Sequence, residues 1–117
     1  MPTDWSEDIV IAELADEPAL SDELTVISDR LAAAVSAGGS APSVVLNFSR
    51  VTYINSSNIA QLLRVRKQLA EAGSKLRLCS ISDEVWSVML ITGLDKVFEY
   101  APDPMTALAS LQIEGES

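Results

Sequence analysis

The sequence of 117 residues contains no histidine and a single cysteine, Cys79. Without histidine, the chain lacks the usual general base near neutral pH and the commonest side-chain ligand of metal ions. One cysteine can form neither an internal disulfide bond nor a zinc site with other cysteines. A phosphate-binding glycine-rich loop is also missing, because Gly38-Gly39-Ser40 follows a predicted helix rather than a strand. We therefore expect no enzymatic activity, no metal and no cofactor.

Long apolar runs are absent as well. None approaches the ~20 residues that are needed to cross a bilayer, and the first residues are acidic, whereas a secretory signal peptide begins with a basic stretch. Together with the missing disulfide, these absences predict a cytoplasmic protein without membrane insertion. The length and the hydrophobic content of 48% are typical of one globular domain. We place this domain at residues 1–117, with a core from about residue 8 to residue 111.

Basic side chains are scarce, since 8 Lys and Arg stand against 17 Asp and Glu, for a net charge of −9. This balance argues against nucleic acid or an anionic membrane as the main partner. Most of the basic residues nevertheless fall within residues 50–77, which contain only one acid, Glu71. Such a basic segment is either a docking face or the solvated face of a helix with its adjoining strand ends. The basic residues of this segment are Arg50, Arg64, Arg66, Lys67, Lys75 and Arg77.

The hydrophobic pattern alternates between strand-like and helix-like segments. Short apolar runs predict strands, and apolar residues at three- and four-residue steps predict helices. This alternation predicts an α/β domain with a mixed, mostly parallel sheet of about four or five strands, covered by about four helices. The predicted strands are Ile9–Ala12, Ser43–Asn47, Lys75–Cys79 and Val97–Tyr100. The predicted helices run from Ser21 to before Gly38, from about Ser56 to Ala72, from Val85 to Ile91, and from Pro104 to about Leu111.

Two of these helices show a clear apolar period. In the first, Leu24, Ile27, Leu31 and Val35 recur at three- and four-residue steps, and Ser21 is the predicted N-cap. In the second, the same argument predicts a stripe of apolar residues facing the sheet. Arg66 falls within this stripe, so we expect its stem to pack and its guanidinium to reach solvent. The predicted stripe consists of Ile59, Leu62, Leu63, Leu69 and Ala70.

The most informative segment is Asn55-Ser56-Ser57-Asn58, which lies between a predicted buried strand and the second helix. The N-terminus of a helix presents unpaired N–H groups and a positive potential, so a phosphate added there would be stabilised. The local pattern alone favours the simpler interpretation that Asn55, Ser56 and Ser57 only cap the helix.

The stretch from Leu46 to Leu63 resembles the signature of the STAS domains of bacterial anti-sigma-factor antagonists. That signature consists of a strand, Asp-Leu-Ser, an apolar pair, and Asp-Ser-Ser/Thr-Gly at the start of a helix. The resemblance continues through Ala72–Cys79, where the family has a glycine-rich turn and an apolar strand. It also includes Val88–Leu94, which is similar to the family's third helix and its Thr/Ser-Gly-Leu ending. It covers about residues 8 to 111 and implies a STAS-type sheet.

Three positions depart from the family pattern. Asn47 and Asn55 stand where Asp is usual, and Asn58 stands where Gly is usual. Asparagine adopts the backbone angles of a turn more readily than most residues, so we expect Asn58 to leave the fold intact. The loss of two carboxylates makes the segment less acidic than in the family.

The resemblance implies a protein-binding function in transcription control. In this family, the domain binds an anti-sigma factor that is a serine kinase, and thereby releases the sigma factor. Phosphorylation by the kinase, here on Ser56 with Ser57 as the second choice, ends binding, and a phosphatase restores it. We expect the partner to contact the start and the outer side of the second helix, and the chain to be a monomer or weak dimer. The expected contact residues are Asn55, Asn58, Gln61, Arg64 and Lys67.

Two alternatives keep the fold and change the role. STAS domains also serve as scaffold subunits of larger signalling assemblies that resemble stressosomes, and as soluble accessory parts of membrane transporters. The mass of the chain in solution would separate a scaffold from a monomeric antagonist.

Overall fold

The computed structural model describes the backbone of residues 3–5 and 9–116 and the side chains of residues 9–113. Its strands and helices alternate along most of the chain, and a short 3-10 helix, Leu94–Lys96, precedes the last strand. No helix of the described residues is long and apolar enough to span a membrane. The strands are β1 (Thr3–Trp5), β2 (Ile9–Ala15), β3 (Ser43–Arg50), β4 (Leu76–Cys79) and β5 (Tyr100–Ala101). The helices are α1 (Ala19–Ser36), α2 (Ser56–Glu71), α3 (Asp83–Thr92) and α4 (Pro104–Glu116).

The strands form one five-stranded sheet in the order β1-β2-β3-β4-β5. β1 is antiparallel to β2, and the other neighbouring pairs are parallel. Ile11 is paired with Val45, and Leu46 with Leu78, so the three predicted core strands are neighbours. The predicted mixed, mostly parallel α/β sheet is thereby confirmed. β1 was not predicted, because a three-residue strand carries too little periodicity to be recognised.

Two layers of helices cover the sheet. Helices α1, α2 and α3 pack on one face, against alternate residues of the strands such as Val10, Leu46 and Leu78. Helix α4 covers the opposite face, where Val45 and Cys79 contact residues of α4. Cys79 is fully buried, and desolvation raises the pKa of its thiol. Because strand side chains alternate between faces, each central strand contributes to both cores.

The first helix begins earlier than predicted. α1 starts at Ala19, and its N-cap residue, Pro18, makes no side-chain capping hydrogen bond. Ser21 is therefore not an N-cap, and its backbone N–H donates instead to Glu17 Oε1 at 2.6 Å. Leu24, Ile27 and Leu31 are buried, whereas Val35, which continues their spacing, is 50% exposed in the last turn of α1.

The apolar stripe of α2 is also different from the prediction. Leu62 and Leu69 are buried as expected, whereas Leu63 and Ala70 are exposed. The buried positions are Asn58, Leu62, Val65 and Leu69, because α2 packs against both the sheet and α1. Arg66 is exposed, and its Nε donates to the backbone oxygen of Val97 at 3.1 Å.

The last predicted strand, Val97–Tyr100, is mostly wrong. Val97 N–H and Phe98 N–H both donate to the oxygen of Leu94, which folds this segment into a turn. Only Tyr100–Ala101 pairs with β4. The other predicted elements are confirmed with small shifts of their ends, and Asp103 caps α4 through a 2.7 Å bond from Thr106 N–H.

Candidate functional site

The start of α2 is held by two asparagines that cap the helix reciprocally. Asn55 is the N-cap residue, and its Oδ1 accepts a hydrogen bond from Asn58 N–H at 2.9 Å. The Oδ1 of Asn58 in turn accepts a hydrogen bond from Asn55 N–H at 3.0 Å. This is a capping box in which asparagine takes the place that Glu or Gln usually fills. Asn58 is helical, and Ser80 is the one non-glycine residue with positive φ in the described residues. Asn58 therefore needs no turn angle, and its replacement of glycine leaves the fold intact, as expected.

The two serines of this segment are left free by the asparagine cap. Ser56 and Ser57 are the first two residues of α2, and both are exposed. In the described part of the chain, neither hydroxyl has a hydrogen-bond partner, whereas Ser82 at the start of α3 accepts a capping bond from Val85 N–H. The two hydroxyls are thus presented to solvent at the positive end of a helix.

The loop between β2 and α1 binds the residues that precede Asn55. Asp16 accepts hydrogen bonds from Thr52 N–H at 2.8 Å, from the Thr52 hydroxyl at 2.7 Å and from Tyr53 N–H at 3.3 Å. These hydrogen bonds hold the pKa of the Asp16 carboxyl below its ordinary value, and the bond from the Thr52 hydroxyl has the largest effect. The loop before α2 is therefore fixed by an ionised carboxylate that follows a different strand.

Glu17, the next residue, reaches the helix itself. Its Oε2 accepts a hydrogen bond from Asn58 Nδ2 at 3.2 Å, and the same carboxylate binds the N–H and the hydroxyl of Ser21. The Ser21 hydroxyl, followed by the Ser21 N–H and the amides of Asn58 and Asn55, lowers the pKa of the Glu17 carboxyl. Glu17 thereby connects the first turn of α1 with the first turn of α2.

The predicted contact residues occupy three different environments. Arg64 and Lys67 are exposed on the outer side of α2, as a docking face requires. Gln61 is only partly exposed, and its Nε2 donates to Ser21 O and to Thr25 Oγ1, both at 3.2 Å. Asn58 is fully buried, so its side chain offers no surface to a partner and its predicted contact role does not fit this conformation. That Asn55, Gln61, Arg64 and Lys67 contact a partner stays a prediction.

Residues that the sequence argument missed complete the surface around the serines. Tyr53 is 63% exposed in the loop before α2, and Leu63 is 39% exposed on the outer side of the helix. Asp16 and Glu17 were not predicted to belong to this site. A signal for them existed, because they follow β2 and the carboxyl ends of parallel strands meet at one edge of a sheet.

No group of three or more His, Cys, Asp or Glu side chains could hold a metal ion among the described residues. This end of the sheet presents a capped helix start with free hydroxyls and the exposed ring of Tyr53, and Arg64 and Lys67 are exposed further along the helix. Such an arrangement suits binding of another macromolecule.

Comparison with known proteins agrees with this picture. The model of the STAS domain family matches residues 11–107. The Bordetella bronchiseptica protein BtrV, named as an anti-sigma factor antagonist, is 34% identical over 69 residues, which are 59% of this chain. The match spans 60% of the length of that relative.

Solved structures share the fold at low sequence identity. A Thermotoga maritima protein described as an anti-sigma factor antagonist superimposes with a TM-score of 0.78 and 18% identity, over 95% of this chain and 93% of its own. The Bacillus protein SpoIIAA in its phosphorylated form gives a TM-score of 0.65 and 19% identity, over 92% of this chain and 96% of its own. At these identities, the likeness concerns the fold.

Proposed function

This chain belongs to the STAS domain family, and we propose that it is a cytoplasmic, non-enzymatic binding module of the anti-sigma-factor antagonist type. In this proposal it binds an anti-sigma factor that is also a serine kinase, and it controls transcription by releasing the sigma factor. Phosphorylation of Ser56, or of Ser57 as the second choice, ends the interaction, and a phosphatase restores it.

The observation that carries the proposal is the division of roles at the start of α2. If the serines served as the cap, their hydroxyls would be engaged with backbone N–H groups. Asn55 and Asn58 perform the capping instead, and Ser56 and Ser57 stay exposed with unbonded hydroxyls in the described structure. A kinase can therefore reach either hydroxyl without unwinding the helix.

The surroundings of Ser56 are suited to a protein partner. The exposed ring of Tyr53 precedes the serines, and Leu63, Arg64 and Lys67 lie further along the outer side of α2. Exposed aromatic residues and cations are both enriched in protein interfaces, and charged residues are typical of their rims. Although the net charge of the chain is −9, these local cations favour a partner with an acidic docking surface.

The energetics of a phosphate at Ser56 differ between the free domain and the complex. At the helix N-terminus the added charge stabilises the free domain by roughly 0.3–1 kcal/mol. At a desolvated contact, the same charge opposes an apolar or acidic partner surface and costs about 2–5 kcal/mol of binding. The modification can therefore abolish binding without unfolding the domain.

The relatives support the proposal in two ways. BtrV is named as an anti-sigma factor antagonist, and SpoIIAA, which has the same fold, has been solved in a phosphorylated form. The Asn55 and Asn58 replacements lie beside the acceptor, so a kinase for this chain should accept amides where the family pattern has a carboxylate and a glycine.

The decisive experiment begins with affinity capture from the native cell. We expect to recover a serine kinase together with its sigma factor. Calorimetry should then show that Ser56→Ala binds like the wild type, whereas Ser56→Asp loses at least tenfold in affinity. Ser87→Asp is a matched control, because Ser87 is exposed on α3, outside the proposed surface.

Mass spectrometry of the phosphorylated protein should place the phosphate on Ser56 or Ser57. If Ser56→Asp and Ser57→Asp both bind as tightly as the wild type and no phosphate is found on either residue, the phosphorylation switch is wrong. Recovery of the chain in an assembly far above its own mass would instead support the scaffold role.

A further inference from the structure

The first turn of α2 contains no acidic residue of its own. Helix N-termini are stabilised by negative charge, which is commonly supplied by an acid in the first turn. Here the negative charge comes from another element, since Glu17 lies in the loop before α1 and binds the side chain of Asn58 at 3.2 Å. Glu17 and Asn58 are separated by 41 positions in the sequence.

Asn58 depends on this carboxylate. Its side chain is fully buried, and its Oδ1 is occupied by Asn55 N–H. The remaining polar group, Nδ2, donates to Glu17 at 3.2 Å and lies 3.4 Å from the Ser21 hydroxyl. A buried amide is destabilising when its donors lack partners, so Glu17 supports the buried side of the cap.

Among the residues whose side chains are described, no cation pairs with the Glu17 carboxylate. The one ion pair among the described residues joins Arg50 to Glu13, at 3.5 Å. The groups that bind Glu17 are the neutral side chains and backbone of Ser21, Asn55 and Asn58, and the adjacent acid, Asp16, is bound by Thr52. Consecutive Cα atoms are ~3.8 Å apart, so Ser56 and Ser57 lie on the order of 10 Å from this carboxylate, about one Debye length.

We propose that Glu17 is a positioning residue that couples the candidate phosphorylation site to the loop between β2 and α1. A negative charge on Ser56 or Ser57 repels the Glu17 carboxylate. This repulsion weakens the hydrogen bond between Glu17 and Asn58. Because Glu17 also binds Ser21, the change alters the surroundings of Ser21 in the first turn of α1. The inference rests on the proposed function, because it identifies the second element that responds when these serines are modified.

The test is a pH titration of the Glu17 side-chain carboxyl by NMR in the full chain. At low ionic strength, Ser56→Asp should raise the Glu17 pKa relative to Ser56→Asn and thus lower its acid dissociation constant by roughly twofold. The Ser57→Asp and Ser57→Asn pair is measured in the same way. Glu71 serves as the internal control, since it lies at the other end of α2, roughly 20 Å away, and should titrate identically in all four variants.

The route through Asn58 is tested in an Asn58→Gly background. In the wild-type background, Ser56→Asp should shift the Ser21 amide resonance, and in Asn58→Gly this response should be lost. If Glu17 titrates alike in the Asp and Asn variants at both serines, the coupling is wrong. If Ser21 responds equally in Asn58→Gly, the charge acts through space and the assigned route is wrong.

These measurements need neither the kinase nor the sigma factor. The coupling can therefore fail while Ser56 still controls partner binding. Conversely, a partner that ignores Ser56 would refute the proposed function and leave the titration result unchanged.

Discussion

Asn55 and Asn58 exchange two hydrogen bonds across the first turn of α2, each from the backbone N–H of one residue to the side-chain oxygen of the other. Asparagine suits both positions because its amide carries an acceptor for the cap and a donor for a further partner. At Asn58 that donor binds Glu17. The two departures from the family pattern at positions 55 and 58 thus form one interacting unit.

The cap should contribute measurably to stability. Asn55→Ala removes the acceptor for Asn58 N–H, so we expect the free energy of unfolding to fall by about 0.5–2 kcal/mol in urea denaturation. Asn55→Asp keeps the acceptor and adds a favourable charge, and should stay within about 0.5 kcal/mol of the wild type. Ser56→Ala is the control and should also be nearly neutral. An Asn55→Ala variant as stable as the wild type would contradict the capping box.

The orientation of α2 can be checked with two neighbouring leucines. Leu62 is fully buried and Leu63 is 39% exposed. Leu62→Ala should lose about 2–5 kcal/mol of unfolding free energy, because it leaves a cavity between α2 and the sheet. Leu63→Ala should lose less than about 1 kcal/mol. Equal losses in the two variants would mean that the helix is rotated from the position described.

The basic side of α2 should affect the rate of partner binding more than stability. Reversal of Arg64 and Lys67 to Glu should leave the unfolding free energy within about 0.5 kcal/mol, since both residues are exposed. The association rate with the captured partner should fall about tenfold or more at low salt, and its salt dependence should weaken. Lys96→Glu, an exposed charge reversal outside α2, is the control. Unchanged association kinetics in the double variant would exclude this face.

Acid should destabilise the site through Asp16 and Glu17. Hydrogen bonds lower both pKa values in the folded state from ordinary values of 3.8 and 4.5. The stabilisation is therefore complete above the unfolded-state pKa values and is lost as the pH falls through the lower folded-state values. The contribution of these two carboxylates to the melting temperature should be constant between pH 5 and 7 and should decrease below about pH 4.5. Asp16→Asn and Glu17→Gln should each reduce the decrease of the melting temperature at low pH. The control is Glu84→Gln, exposed on α3, which should not reduce it.

Much of the architecture was predictable from local patterns. The apolar runs before Ala12, after Ser43 and after Lys75 are strands, and the helical periodicity between them is confirmed. These strands can be predicted because a parallel strand that is buried on both faces consists almost entirely of apolar residues. The segment Val97–Tyr100 looked equally strand-like, but its N–H groups at Val97 and Phe98 turn back to Leu94. Local composition cannot distinguish a strand from a turn that is decided by such bonds.

The sequence by itself determined that the chain is an α/β domain, that a long helix opens with Asn55-Ser56-Ser57-Asn58, and that it resembles the STAS family. The tertiary structure alone decided which of these four side chains are exposed. Asn58 is buried and Ser56 exposed because α2 packs against α1 and the sheet along Asn58, Leu62, Val65 and Leu69. It also brought Glu17 to Asn58 across 41 residues. Hydrogen bonds between such distant residues depend on how the helices pack, and no local pattern of residues encodes that packing.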